Sequence, residues 1–140
     1  TFVAREHCSE FQYAVAAGDL SGDGAADLAI SSRVSDGPVI CPETGNEVYV
    51  LLGSTSGLKA TSQVLTGQRE GAQLRVLGGR GSAAWLTIGR PSDVGSVFAA
   101  GEVTVVPGSV EGVVPKSGQN WNQNSPGIKG AAEAKDFWGG

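Results

Sequence analysis

The residues best suited to chemistry in this chain are oxygen-bearing side chains at alternate positions of one short acidic segment. They are Asp19, Ser21 and Asp23; Asp27 closes the series, and the backbone carbonyl of Ala25 lies between them. A hard cation such as Ca²⁺ takes six to eight oxygen ligands at about 2.3–2.6 Å. Because a tightly curled loop turns alternate groups inward, this segment predicts a calcium site.

The elements around this loop are predicted to be strands rather than the helices of an EF-hand. An EF-hand loop ends in a bidentate Glu at its twelfth position, and here that position is Ile30. The flanking stretches Phe11–Gly18 and Leu28–Ser32 are short and rich in apolar or small residues, which is typical of strands. We therefore expect a hairpin with a structural calcium ion. An acidic, Gly-rich turn without a metal is the alternative.

The chain repeats itself, and the repeat predicts its architecture. Glu47–Leu58 aligns with Glu102–Val113, and Ala25–Ser31 aligns with Ala83–Gly89 at a similar spacing. The chain thus holds two copies of a unit of about 60 residues. Each copy predicts four short strands separated by Gly-rich turns: near 11–17, 26–32, 46–52 and 62–66 in the first, and near 73–78, 83–89, 101–106 and 118–122 in the second. Repeated four-stranded units of this length predict an all-β fold of β-propeller blades.

These motifs together resemble the FG-GAP repeat, the blade of integrin α-subunit heads and of many secreted bacterial propellers. Asp19–Leu28 matches the calcium loop of that repeat, and Gly45–Leu58 and Gly101–Val113 match its third strand and turn. Gly89–Pro91 is similar to its Gly-Ala-Pro element, and Ser125–Phe137 resembles a connector into a next blade. The resemblance implies about two four-stranded antiparallel blades and a calcium-dependent role in recognition or adhesion.

The second copy departs from the pattern in its loop. It is shorter, carries Arg80, and has Trp85 where the first copy has Asp27. We therefore assign a metal site to the first copy alone, with ligands Asp19, Ser21, Asp23, Ala25 and Asp27. Residues 1–70 are interpreted as a first blade with the calcium loop, and residues 71–140 as a degenerate second blade plus the start of another.

Two blades do not close a ring, because propellers typically have four to eight. We expect the ring to be completed by a homo-oligomer or by a sister chain from the same precursor. The chain begins at Thr1 and contains no Met, which favours a processed or partial chain.

The cysteines favour an extracellular setting. Cys8 and Cys41 flank the first two predicted strands and are expected to form a disulfide across one end of the first blade. Two free thiols are the alternative. His7 beside Cys8 is interpreted as a surface residue rather than part of a catalytic pair.

Charge and hydropathy exclude other classes of partner. With 10 Lys and Arg against 14 Asp and Glu, the net charge of −4 argues against nucleic-acid binding. No apolar run approaches the 18 or so residues of a membrane span, so we expect no membrane insertion. No nucleophile elbow or phosphate loop occurs, and we expect no enzyme activity.

Trp121 and Trp85 are the weaker candidates for ligand contact, because aromatic rings stack on sugars and mark binding surfaces. The favoured hypothesis is a secreted, calcium-stabilised module that binds protein or glycan. The alternatives are a non-catalytic propeller segment of a larger processed enzyme and a structural subunit of a ring or filament.

Overall fold

The computed structural model describes residues 9–34, 46–59, 62–68, 73–79 and 81–139. Cys8 and Cys41, and with them the expected disulfide, lie outside the described residues, as do His7 and Arg80. Where it is described, the chain forms two antiparallel β-sheets that pack face to face.

The first sheet is a meander of four strands in chain order. They are β1 (Ser9–Gly18), β2 (Asp27–Val34), β3 (Asn46–Leu51) and β4 (Ser62–Gln68). Each strand pairs with the one before it because a short or medium connection returns the chain antiparallel. The connection between β1 and β2, residues 19–26, is the acidic loop.

The second sheet has five strands. They are β5 (Gln73–Leu77), β6 (Trp85–Arg90), β7 (Glu102–Ser109), β8 (Gly112–Val113) and β9 (Gln119–Trp121), with a 3-10 turn at Pro115–Ser117 before β9. Both β8 and β9 pair with β7. The two residues of β8 lie against its end, and β9 lies against its first half.

The predicted fold class is confirmed: the chain is all-β, with two antiparallel sheets at the positions of the two sequence copies. The additional strand β8 was not predicted. It forms because β7 runs on to Ser109 and folds back at Gly112, whose φ of +122° favours glycine.

The two sheets share one hydrophobic core. Its buried members come from both sheets and from the acidic loop: Leu20, Ala29, Val48, Val50, Leu65, Leu74, Ala84, Leu86, Ile88, Val106 and Val113. Since side chains alternate across a strand, each sheet has two faces. We call the face of the first sheet that bears Val50 and Gln63 its front face, and this face packs on the second sheet.

The sheets stack front to back. In the second sheet Val105 pairs with Gln119, just as Val50 pairs with Gln63 in the first sheet. The face that bears Val105 and Gln119 is therefore the front face of the second sheet. The core residues Leu86, Ile88 and Val106 of the second sheet lie on its other face, the back face. The front of one sheet therefore meets the back of the next.

Candidate functional site

The acidic loop joins β1 to β2 and is curled by its own side chains. Asp19 accepts three backbone hydrogen bonds through its carboxylate, from the N–H groups of Gly22 (2.6 Å), Asp23 (3.0 Å) and Gly24 (3.0 Å). Gly22 and Gly24 have φ of +77° and +85°, which side-chain-bearing residues rarely adopt. One carboxylate thus draws three successive amides around itself and fixes a compact turn.

Asp23 and Asp27 complete the loop in different ways. Asp23 is exposed, and its Oδ1 accepts the Ala25 N–H at 2.8 Å. Asp27 is 1% exposed, and its two oxygens accept from the Ser21 N–H and the Gly53 N–H, both at 2.7 Å. Asp27 therefore links the loop to the turn that follows β3.

The turn after β3 meets the acidic loop at close range. A Cβ at Gly53 would lie 2.1 Å from the carbonyl oxygen of Ala26, so only glycine fits there. Sequence analysis did not single out Gly53. The signal was present, because a glycine recurs at the equivalent position Gly108 in the second copy.

Ser21 carries an unusual hydroxyl. The residue is 3% exposed, and its Oγ has no hydrogen-bond partner among the described residues. A buried hydroxyl without a partner is costly, roughly 1–3 kcal/mol. Together with the three carboxylates, which form no salt bridge to any described Lys or Arg, it leaves the loop with more acceptor oxygen than the described residues satisfy.

The predicted ligands Asp19, Ser21, Asp23, Ala25 and Asp27 all lie in or directly beside the acidic loop. No group of three or more His, Cys, Asp or Glu side chains in the described ranges is arranged to hold a metal ion. The carboxylates accept hydrogen bonds from backbone amides, and since an ionised carboxylate has about four lone-pair sites, the one to three amides at each still leave a site free. The all-oxygen donor set and the unpartnered Ser21 hydroxyl fit Ca²⁺ chemically. The metal site stays a prediction.

The loop also contacts the second sheet directly. The Asp19 carbonyl accepts the Ala84 N–H at 2.9 Å, just before β6. A Cβ at Gly22 would lie 2.7 Å from the Ala83 nitrogen, and one at Gly108 would lie 2.1 Å from the Leu20 carbonyl oxygen. Backbone packs directly on backbone here, so the shape of the loop sets how the two sheets meet.

In the second sheet a backbone hydrogen bond takes the place of the bond between Asp27 and the Gly53 N–H. Trp85 occupies the position of Asp27, and the Gly108 N–H donates to the Ala84 carbonyl at 2.8 Å. In the first sheet the equivalent N–H, on Gly53, bonds to Asp27 instead. The second copy therefore keeps the turn without needing an acidic residue.

The two tryptophans singled out as ligand contacts lie on the front face of the second sheet, in different rows. Trp85 is 43% exposed and stands between Leu77 and Pro107. Trp121 is half-buried and pairs with Val103 on the edge strand β9. Because they pair with opposite ends of β7, they do not form one aromatic site.

Comparison with known protein families gives one match within the first sheet. The family model described as FG-GAP repeat matches residues 11–51, which take in β1 from Phe11, the acidic loop, β2 and β3. This agrees with the resemblance drawn from the sequence motifs. In the described part of the chain, no helix has the length and apolar character needed to cross a membrane.

Proposed function

Since residues 11–51 of this chain are an FG-GAP repeat, we propose that it acts as a calcium-stabilised part of a secreted propeller. FG-GAP repeats are typical of propeller-type extracellular modules. The proposed role is non-catalytic recognition of a protein or glycan ligand through loops at one end of the sheets. Calcium holds those loops in shape and takes no part in a reaction.

The observation that carries the proposal is the buried, unpartnered Ser21 hydroxyl inside a loop of three carboxylates. A cation that accepts oxygen ligands removes both problems, because it satisfies the hydroxyl and balances the carboxylate charge. The side chains of Asp19, Ser21, Asp23 and Asp27 and the carbonyl of Ala25 would hold it. Bound calcium supplies a rigid cross-link there and no more.

Calcium in this loop also supports the contact between the sheets. Asp19 and Leu20 touch the second sheet through their carbonyl groups, and Asp27 reaches the turn at Gly53. Stiffening the loop therefore stiffens three segments at once. A recognition surface built from such loops loses less conformational entropy when it binds.

Calorimetric titration of the chain with CaCl₂ tests the proposal. We expect one site with a dissociation constant on the order of 10⁻⁴–10⁻³ M, the range of extracellular modules. Asp19→Asn and Ser21→Ala should each weaken binding, the first by about tenfold or more. Asp136→Asn is the matched control, since its carboxylate also accepts a backbone N–H but lies outside the loop.

The absence of a calcium-binding heat in the wild-type chain, or equal weakening by Asp136→Asn, would contradict the proposal. The proposed ligand binding is tested on the same samples with a glycan array, with and without calcium. A module whose loops depend on calcium should bind its glycan only in the calcium-loaded sample. Glycan binding that stays the same in EDTA would show that recognition does not depend on calcium in the acidic loop.

A further inference from the structure

One side-chain amide ties the two sheets together at their outer edge. Gln63 on β4 donates its Nε2 hydrogen to the Val113 carbonyl at 2.8 Å, and its Oε1 accepts the Val113 N–H at 2.9 Å. The amide thus pairs with the N–H and the C=O of one residue, Val113, as a neighbouring strand would. Gly112 beside it must be glycine, because its φ is +122° and a Cβ would lie 2.6 Å from the Gln63 Oε1. We call this pair of bonds the amide clamp.

The second sheet has the same amide at the same place, without a partner. Gln63 lies opposite Val50, and Gln119 lies opposite Val105, the residue that repeats Val50 in the second copy. Gln119 is exposed on the front face, and its side chain makes no hydrogen bond to another described residue. Gln119 is therefore the counterpart of Gln63 in the second sheet, with a side chain that has no hydrogen-bond partner among the described residues.

The first sheet has the matching residue, Leu58, whose N–H and C=O have no hydrogen-bond partner among the described residues. Gly57–Leu58 repeats Gly112–Val113, and Gly57 has φ of +115° against +122° at Gly112. The turns share their geometry, since the Lys59 N–H bonds to the Leu52 carbonyl at 2.8 Å as the Val114 N–H bonds to the Pro107 carbonyl at 2.8 Å.

The two turns differ in local pairing, since Gly112–Val113 form β8 against β7 whereas Gly57–Leu58 belong to no strand, and in what lies beside them. A Cβ at Gly57 would meet open space, and the Leu58 peptide groups bond to no other described residue. Leu58 itself is 49% exposed. Each end of the chain's own two-sheet stack therefore carries half of an amide clamp.

Apolar side chains accompany both halves. On the front face of the second sheet Leu77 and Trp85 form an exposed cross-strand pair, 51% and 43% exposed. On the back face of the first sheet Val15 and Val64 are 47% and 42% exposed. Exposed apolar side chains on both outer faces of a stack are what an interface needs.

The last described residues lie at one end of the front face of the second sheet. Phe137 and Trp138 bond through their N–H groups to the carbonyls of Ala99 and Ala100 at 3.1 and 2.9 Å. Gly139 then passes over Gly89, where a Cβ would lie 1.6 Å from its carbonyl oxygen. The row that carries Leu77 and Trp85 lies at the other end of the front face, clear of this segment.

We propose that a second copy of this chain docks head to tail on the front face of the second sheet. Gln119 of one copy clamps the Leu58 peptide group of the next, as Gln63 clamps Val113 within the chain. The exposed Val15 and Val64 on the back face of the second copy's first sheet cover Leu77 and Trp85. Because the interface joins unlike faces, it is heterologous, and it adds sheets in the order already present inside one chain. This inference rests on the propeller-type function proposed above and names its partner.

Sedimentation equilibrium at rising concentration tests this, with tryptophan fluorescence as a second readout. Wild type should associate, and the emission should shift to the blue as the Trp85 ring loses water. Gln119→Ala should weaken the association about tenfold, since it removes two hydrogen bonds. Asn120→Ala is the control, because it lies on the same strand but the opposite face, bonded to Thr104. Circular dichroism confirms that each variant is folded.

Association that Gln119→Ala weakens and Asn120→Ala leaves unchanged supports the clamp. A chain that stays monomeric at the highest concentration reached, or an association that both variants affect equally, overturns it and leaves the front face to a sheet from a different chain. Calcium binding is measured on the same samples by calorimetry. Normal calcium binding without association rejects the clamp alone, whereas association without calcium binding rejects the calcium role alone.

Discussion

Asp27 shows how much one buried carboxylate can hold in place through backbone amides alone, without an ion pair to any described Lys or Arg. Its two oxygens accept amides from Ser21 and Gly53, which lie in separate parts of the chain on either side of β2 and β3. Both amides are enclosed with it, so neither has water as a substitute. The residue that sequence reasoning named as a metal ligand is, in the structure, a junction between the loop and the turn after β3.

Replacing Asp27 by Ala should therefore destabilise the chain even with calcium removed. Two buried N–H groups lose their acceptor, at roughly 1–3 kcal/mol each, so we expect a loss of about 2–6 kcal/mol. Asp23→Ala should cost less than about 1 kcal/mol, because Asp23 is exposed and water replaces its one bond. Urea unfolding in EDTA measures both. Equal losses would mean that the burial of Asp27 has no energetic weight.

At the scale of elements, strands were predictable and the contacts between them were not. Short apolar or small-residue stretches between Gly-rich turns, repeated in two copies, located β1 to β7 and β9. Gln63 gave no such signal, since one glutamine in a polar strand end looks like any other. Its role depends on β4 lying beside β8 of the other sheet, and β8 itself was missed because two residues are too few to show a period.

The acidic loop was the part of the site that the sequence predicted best. Local spacing alone brings Asp19 to the amides of residues 22–24, so the curl follows from the motif. The bond from Asp27 to Gly53 joins distant parts of the chain, and spacing within the loop carries no information about it. The repeat of Gly53 at Gly108 was the available clue.

Two glycines of one turn make a matched test of this element. Gly53→Ala places a methyl group 2.1 Å from the Ala26 carbonyl oxygen, a clash that only backbone movement relieves. Gly57→Ala meets open space and carries only the penalty of its φ of +115°, about 1–2 kcal/mol. Thermal unfolding should therefore show a much larger loss for Gly53→Ala. If Gly57→Ala were the worse of the two, the close approach of the loop and the turn would be wrong.

At the scale of the molecule, the two described sheets share one core cluster, and their stability should be shared accordingly. Val48 and Val50 of the first sheet pack in the same cluster as Leu86 and Ile88 of the second. Neither sheet can expose its side of that cluster without exposing the other. We expect a single unfolding transition for the described sheets rather than one for each.

The positions of the tryptophans make this testable without a label. Trp85, Trp121 and Trp138 all lie in the second half of the chain, so their fluorescence reports on that half. Val48→Ala in the first sheet should cost about 1.5–3 kcal/mol and shift the fluorescence transition as far as the circular dichroism transition. A fluorescence midpoint that stays in place while the dichroism shifts would show two independent units.

The front-to-back order of the sheets has a consequence for size. When every unit presents the same front and back faces, each added unit exposes a new face for the next one. The contacts alone therefore do not limit the number of units. The number of units depends on the angle between neighbouring sheets, and a ring closes only if that angle divides a full turn evenly. Here that angle is set where backbones touch, at Gly22 against Ala83 and at Gly108 against Leu20. A methyl group at either glycine would push the two sheets apart locally and change the angle between them. That angle decides between a closed ring and an open filament.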